Sequence, residues 1–85
     1  MRVDLALKYL CLAKSRSAVK SMCEKNALWI NDRSAKASST VHVDDRIRIA
    51  TSAWMMTISL LTIPEKQLSK TAAPAYYRVV DREAV

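Results

Sequence analysis

No glycine occurs among the 85 residues, so every place where the backbone must enter the left-handed region has to be filled by a residue carrying a Cβ. Asn and Asp tolerate that region best after glycine, and their positions therefore mark where this chain can turn. Three places qualify. Asn26 follows a run with helical spacing, Asn31-Asp32 separates Leu28-Trp29-Ile30 from Ser34-Ala35-Lys36, and Val43-Asp44-Asp45 precedes Arg46-Ile47-Arg48-Ile49. They read as a helix stop, a hairpin turn and a turn into a strand, each tolerated at a modest energetic cost.

The segments between these turns follow from hydrophobic spacing. Val3, Ala6, Leu7, Leu10 and Cys11 fall on one helical face and predict a first helix over roughly 3–12, with Asp4 complementing the dipole in its first turn. Ser15 is a suitable N-cap for a second helix over about 16–25, with Ala18, Val19, Met22 and Cys23 on one side and Lys14, Arg16, Ser17 and Lys20 on another. Arg46-Ile47-Arg48-Ile49 and Met56-Thr57-Ile58-Ser59-Leu60 alternate as half-buried strands do. Thr51-Ser52 turns between them, Pro64 ends the second, and 65–74 reads as a polar loop or short helix. Tyr76-Tyr77-Arg78-Val79-Val80 is expected to return to the sheet as a last strand, with its two tyrosines on opposite faces. The expected fold class is α+β, two N-terminal helices packed on a small, mainly antiparallel sheet of four to five strands.

Charge narrows the function. Fourteen Lys and Arg against eight Asp and Glu leave a formal net charge of +6, and residues 1–25 carry six of those bases with only two of the acids. A polyanion is the partner such an imbalance suits, nucleic acid first. Arg16 and Lys20, one turn apart at a helix start whose amides already point outward, suit phosphate. Cys11 and Cys23, without a Cys-x-x-Cys motif, are expected on helices as small core residues in a reducing compartment. His42 is the single His and has no Cys or Ser partner in the sequence, so no catalytic residue, metal or cofactor is expected. Asp44 and Asp45 are turn formers, and Trp29 and Trp54, inside apolar strands, are expected in the core rather than stacked on bases. The strongest apolar run, 54–63, is interrupted by Thr57, Ser59 and Thr62 and is too short to cross a bilayer, so a cytoplasmic protein without membrane attachment is expected.

Taken together, Arg2-Val3-Asp4, the spacing to Lys14-Ser15-Arg16-Ser17, the helix from Ala18 to Lys25, Leu28-Trp29-Ile30-Asn31-Asp32 and the Asp45-Arg46-Ile47 ending resemble an S4-type RNA-binding domain. That family runs Arg-Leu-Asp, then Ser-Arg, Val-Asn-Gly and Pro-Gly-Asp, and this chain departs from it at the glycines and at Cys11, where a basic residue is common. The resemblance implies the S4-type (αL) fold, with residues 1–50 as the RNA-binding domain and 51–85 as a C-terminal strand extension packed on it. It implies that Arg2, Lys8, Lys14, Ser15, Arg16, Ser17 and Lys20 contact RNA, while Asp4 orients Arg16 or another base.

The strand at 54–63 and the Ala72-Ala73-Pro74-Ala75-Tyr76-Tyr77-Arg78-Val79 ending resemble the short stand-alone members of that family that serve ribosome-associated quality control. For those the partners are large-subunit ribosomal RNA, peptidyl-tRNA and an RqcH-type tailing factor, and a monomer is expected off the ribosome. A related heat-shock S4 protein that recycles free large subunits usually has a longer basic C-terminal extension. The third reading is an RNA-guiding module for a separate RNA-modifying enzyme, since these 85 residues hold no catalytic domain. A DNA-binding regulator is disfavoured because the helical pair leads into a sheet and not into a third helix.

Overall fold

The computed structural model describes residues 1–84. Helix α1 (Val3–Tyr9) and helix α2 (Arg16–Glu24) precede strands β1 (Leu28–Ile30), β2 (Arg33–Ser34), β3 (Arg46–Ala50) and β4 (Trp54–Leu60); a 3-10 turn (Ala73–Tyr76) then leads into β5 (Tyr77–Ala84). The strands form one sheet in the order β2-β1-β3-β4-β5, every pair antiparallel.

Alternation along the strands decides what the helices cover. Leu28, Ile47, Ile49, Met56, Ile58 and Leu60 point to one face and are buried there with Val3, Ala6, Leu7, Leu10 and Val19 from the helical side. Trp29, Arg46, Arg48, Met55, Thr57 and Ser59 occupy the alternate positions and line the opposite face. Between β4 and β5 the register slips at Thr57/Ile58, so that Ile58 pairs with Val79 while Thr57 pairs with Asp81. Val80 is left as the extra residue of a bulge.

The turns are built as the missing glycines require. Asn26, Asn31, Asp32 and Asp44 all have positive φ, between 51° and 72°. Asn31 also ties the hairpin down, donating from Nδ2 to Asp45 Oδ1 at 3.0 Å and accepting from the Arg46 amide at 2.9 Å. Asp45 accepts the His42 amide at 2.8 Å, which closes the turn before β3.

The fifth left-handed residue corrects an expectation. Cys11 has φ 59° and lies past the end of α1, which stops at Tyr9 with Leu10 as C-cap, instead of within a helix reaching residue 12. The apolar stripe continues beyond the helix because Leu10 still enters the core from the turn. Of the two tryptophans, Trp54 packs on the core as expected and Trp29 does not. Both are half-buried: Trp54 packs against the core rim beneath Arg82, whose Cζ is 5.9 Å from its ring centroid, and Trp29 sits on the opposite sheet face under Arg48 at 5.5 Å. Tyr76 and Tyr77 do not divide between a buried and an exposed position, since Tyr76 ends the 3-10 turn and both lean half-buried on the core.

Candidate nucleic-acid interface

The start of the chain is stitched to the segment after β2. Arg2 forms an isolated antiparallel bridge with Thr40, the Val3 amide donates to the Ser39 carbonyl at 2.7 Å, and the Val41 amide donates to the Met1 carbonyl at 2.8 Å. These bonds place α1 so that Asp4 is turned inward, 3% exposed, and it is the one buried polar or charged side chain among the described residues.

A carboxylate withdrawn from water needs partners, and Asp4 has four donors. Arg2 donates through Nε at 3.2 Å and Nη2 at 3.0 Å, the Leu5 amide donates at 2.8 Å, and Arg16 donates through Nε at 3.3 Å from the start of α2. Burial alone would raise the pKa of this group. The hydrogen bonds from Arg2, the Leu5 amide and Arg16, with the charge of Arg16, outweigh it and hold the carboxyl below its ordinary value.

The arrangement brings together residues twelve to fourteen positions apart in sequence, and two cations share one anion. Both guanidinium groups remain about half exposed, 51% for Arg2 and 47% for Arg16, against 4% for the carboxylate between them. Among the described residues Arg16 spends only its Nε on Asp4, which leaves both terminal nitrogens with their donors free. Arg16 is thus fixed at its base and open at both tips, whereas Arg2 is clasped along one edge by Nε and Nη2 and keeps Nη1 free.

Ser15 caps α2 as its sequence position indicates, its Oγ accepting from the Ala18 amide at 3.1 Å. That bond occupies an oxygen lone pair and leaves the hydroxyl proton free to donate. Lys14, Ser17 and Lys20 are exposed around this helix start, and Lys8 is half-buried one turn after Asp4 on α1. Arg2 and Lys20 also line one groove of about 400 Å³ with Cys23, Glu24 and residues 35–38.

Sequence reasoning missed Lys36 in that groove. The backbone pairing of residues 1–4 with 37–41 delivers it there, a long-range contact with no local signal. Cys23 is half-buried at the groove wall, and burial, followed by the charges of Asp4 and Glu24, pushes its thiol pKa up, away from the reactive thiolate.

The S4 domain family model matches residues 1–47. The chain is 34% identical over 64 residues to the RQC P-site tRNA stabilizing factor of Helicobacter pylori, covering 75% of this chain and 76% of that protein. It is 26% identical over 76 residues to the protein of the same name from Streptococcus pneumoniae, covering 89% and 86%. Among solved structures, it is similar to the trimeric Heat Shock Protein 15 of Vibrio cholerae, with a TM-score of 0.85 and 25% identity over 94% of this chain and 81% of that one.

Proposed function

This chain belongs to the S4 domain family, and on that premise we propose that it binds the large ribosomal subunit, contacting ribosomal RNA and peptidyl-tRNA during quality control of stalled nascent chains. The observation that carries the reading is the Arg2–Asp4–Arg16 cluster. Its carboxylate holds two guanidinium forks in place before any ligand arrives, so their ordering entropy is already lost in the free protein. Planar forks with free terminal donors suit phosphates bidentately and can stack on unpaired bases.

Lys8, Lys14, Ser15, Ser17 and Lys20 extend the contact along the two helices, which we read as the αL arrangement of the family. Lysine at those positions supplies point charges that replace condensed counterions, giving affinity that falls steeply with salt and depends little on base identity. We take residues 1–50 as the RNA-binding unit and 51–85 as an extension of it. The protein acts as a non-enzymatic cytoplasmic factor, monomeric when free, and works beside an RqcH-type tailing factor. Two relatives named for stabilizing P-site tRNA support the tRNA contact.

Likeness to a heat-shock S4 protein favours a second reading, recycling of free large subunits that retain a nascent chain. One experiment tests the first reading and sorts the two. The protein is sedimented with large subunits, small subunits and intact ribosomes over a salt series, and the tRNA content of the bound particles is determined. Co-migration with large subunits that carry peptidyl-tRNA and a tailing factor is expected. Particles with a nascent chain but no tailing factor would support the second reading; co-migration with small subunits alone, or with nothing at low salt, refutes both.

A further inference from the structure

Lys8, Lys14 and Lys70 line a cleft of about 440 Å³ between the α1–α2 turn and the segment that follows β4, and no carboxylate is among its lining residues. The far wall is anchored to the end of α1. The Leu68 amide donates to the Tyr9 carbonyl at 3.1 Å, Gln67 Nε2 donates to the Tyr9 and Leu68 carbonyls at 3.4 and 3.1 Å, and the Cys11 thiol donates to the Leu68 carbonyl at 3.2 Å. Leu68 itself is buried in the core.

Complementing the carbonyl end of α1 would account for Lys8, which sits in its last turn. It does not account for Lys14 or Lys70, both exposed, and the Tyr9 carbonyl already has donors in Leu68 and Gln67. Three ammonium groups around one hollow repel each other until an anion enters. Lys8 lies one turn after Asp4, and Lys14 stands next to the N-cap of α2, so the hollow and the paired arginines draw on the same two helices.

We propose that this cleft is a second phosphate site that takes a backbone phosphodiester of the same RNA, with Lys70 as its distal contact. The proposal rests on the RNA-binding reading above and extends it past the stretch matched by the S4 family, which ends at residue 47. Residue 70 therefore belongs to the contact surface as fully as Lys14 does.

The test measures binding of large subunits, and separately of a plain RNA hairpin, against salt for the wild type, Lys70→Ala and Lys66→Ala. Lys66 is a charge-matched control that lines a different cleft beside Glu65. On both ligands Lys70→Ala is expected to reduce the slope of log affinity against log salt by roughly 0.7–0.9, the release expected for one lost phosphate contact. Lys66→Ala should keep the wild-type slope, and thermal midpoints should agree among all three proteins. Equal slopes for Lys70→Ala and the wild type, or equal losses in the two variants, overturn the cleft while leaving the ribosomal function standing. A wild type that ignores large subunits but binds the hairpin with a Lys70-dependent slope overturns the ribosomal function and supports the cleft.

Discussion

Replacing Asp4 by Asn separates two effects that net charge alone would confuse. The change keeps the size of the side chain and raises the formal charge by one from +6. If RNA affinity followed net charge, the variant would bind more tightly. The geometry requires the opposite. The Asn oxygen can still accept from the Leu5 amide and Arg2 Nε, but its NH₂ group would stand where the second oxygen receives Arg2 Nη2 at 3.0 Å and Arg16 Nε at 3.3 Å. Donors would then face donors. Two charge-assisted hydrogen bonds are lost, nominally ~1.5–3 kcal/mol each. Both guanidinium groups are about half exposed and can rotate into water, so the cost should fall to roughly 1–3 kcal/mol in total. For a domain of this size that lowers the thermal midpoint by roughly 4–24 °C. Circular dichroism melts give the stability, and large-subunit binding at a temperature where both proteins are fully folded gives the affinity. We expect weaker binding from the more positive protein. Tighter binding at equal folded fraction would refute the idea that Asp4 works by positioning the arginines.

The reverse dissociation is expected for Arg16→Ala. Asp4 keeps Arg2 and the Leu5 amide, so the thermal midpoint should move by less than about 1 kcal/mol of stability while ribosome binding weakens at least several-fold; a protein that unfolds instead would make Arg16 structural glue. Because the folded-state pKa of Asp4 is depressed, its stabilising contribution is fully present above the ordinary carboxylate value of about 3.9 and is lost as pH falls through the folded value. Asp45, lowered by its bonds from Asn31 and His42 against the effect of burial, acts in the same direction. Melts from pH 6 downward should show the midpoint falling in acid, with a shallower fall in Asp4→Asn; superimposable profiles would count against this linkage. Asp44→Gly, at an exposed φ of 72°, should stabilise by roughly 0.5–1 kcal/mol in urea unfolding. Asn31→Gly should give no such gain, because it loses the bonds to Asp45 and Arg46.

Local signals in the sequence were sufficient where the physics is local. Ser15 as N-cap, a second helix beginning at Arg16, and Asn or Asp in the left-handed positions at 26, 31, 32 and 44 all follow from side-chain chemistry acting within a few residues. Alternation in β3 and β4 identified their inward faces for the same reason. What failed depended on partners distant in sequence. The end of α1 is not legible because Leu10 stays apolar after the helix has stopped, held by the core, and no propensity marks Cys as a left-handed residue. The face taken by Trp29 is not legible either, because apolar character does not specify a face, which here is set by its register opposite Arg48. At the site, the paired arginines could be suspected from an Arg-x-Asp start and a later Arg, but their common carboxylate is a tertiary contact. Lys36 could not be suspected, since the pairing of the chain start with residues 37–41 carries it there.

The outer strand has a consequence for how this protein behaves in a crowd of its own copies. β5 borders the sheet along eight residues, paired with β4 on one side only, and Val79 and Val80 are exposed on it. A long, flat, apolar border of that kind recruits further strands and nucleates fibres. Here Arg78, Asp81, Arg82 and Glu83 interrupt it with charges of both signs, and the bulge at Val80 throws the row of free amides and carbonyls out of register halfway along. At the other border β2 is only two residues long. An incoming chain therefore finds little uninterrupted backbone at either end on which to extend the sheet.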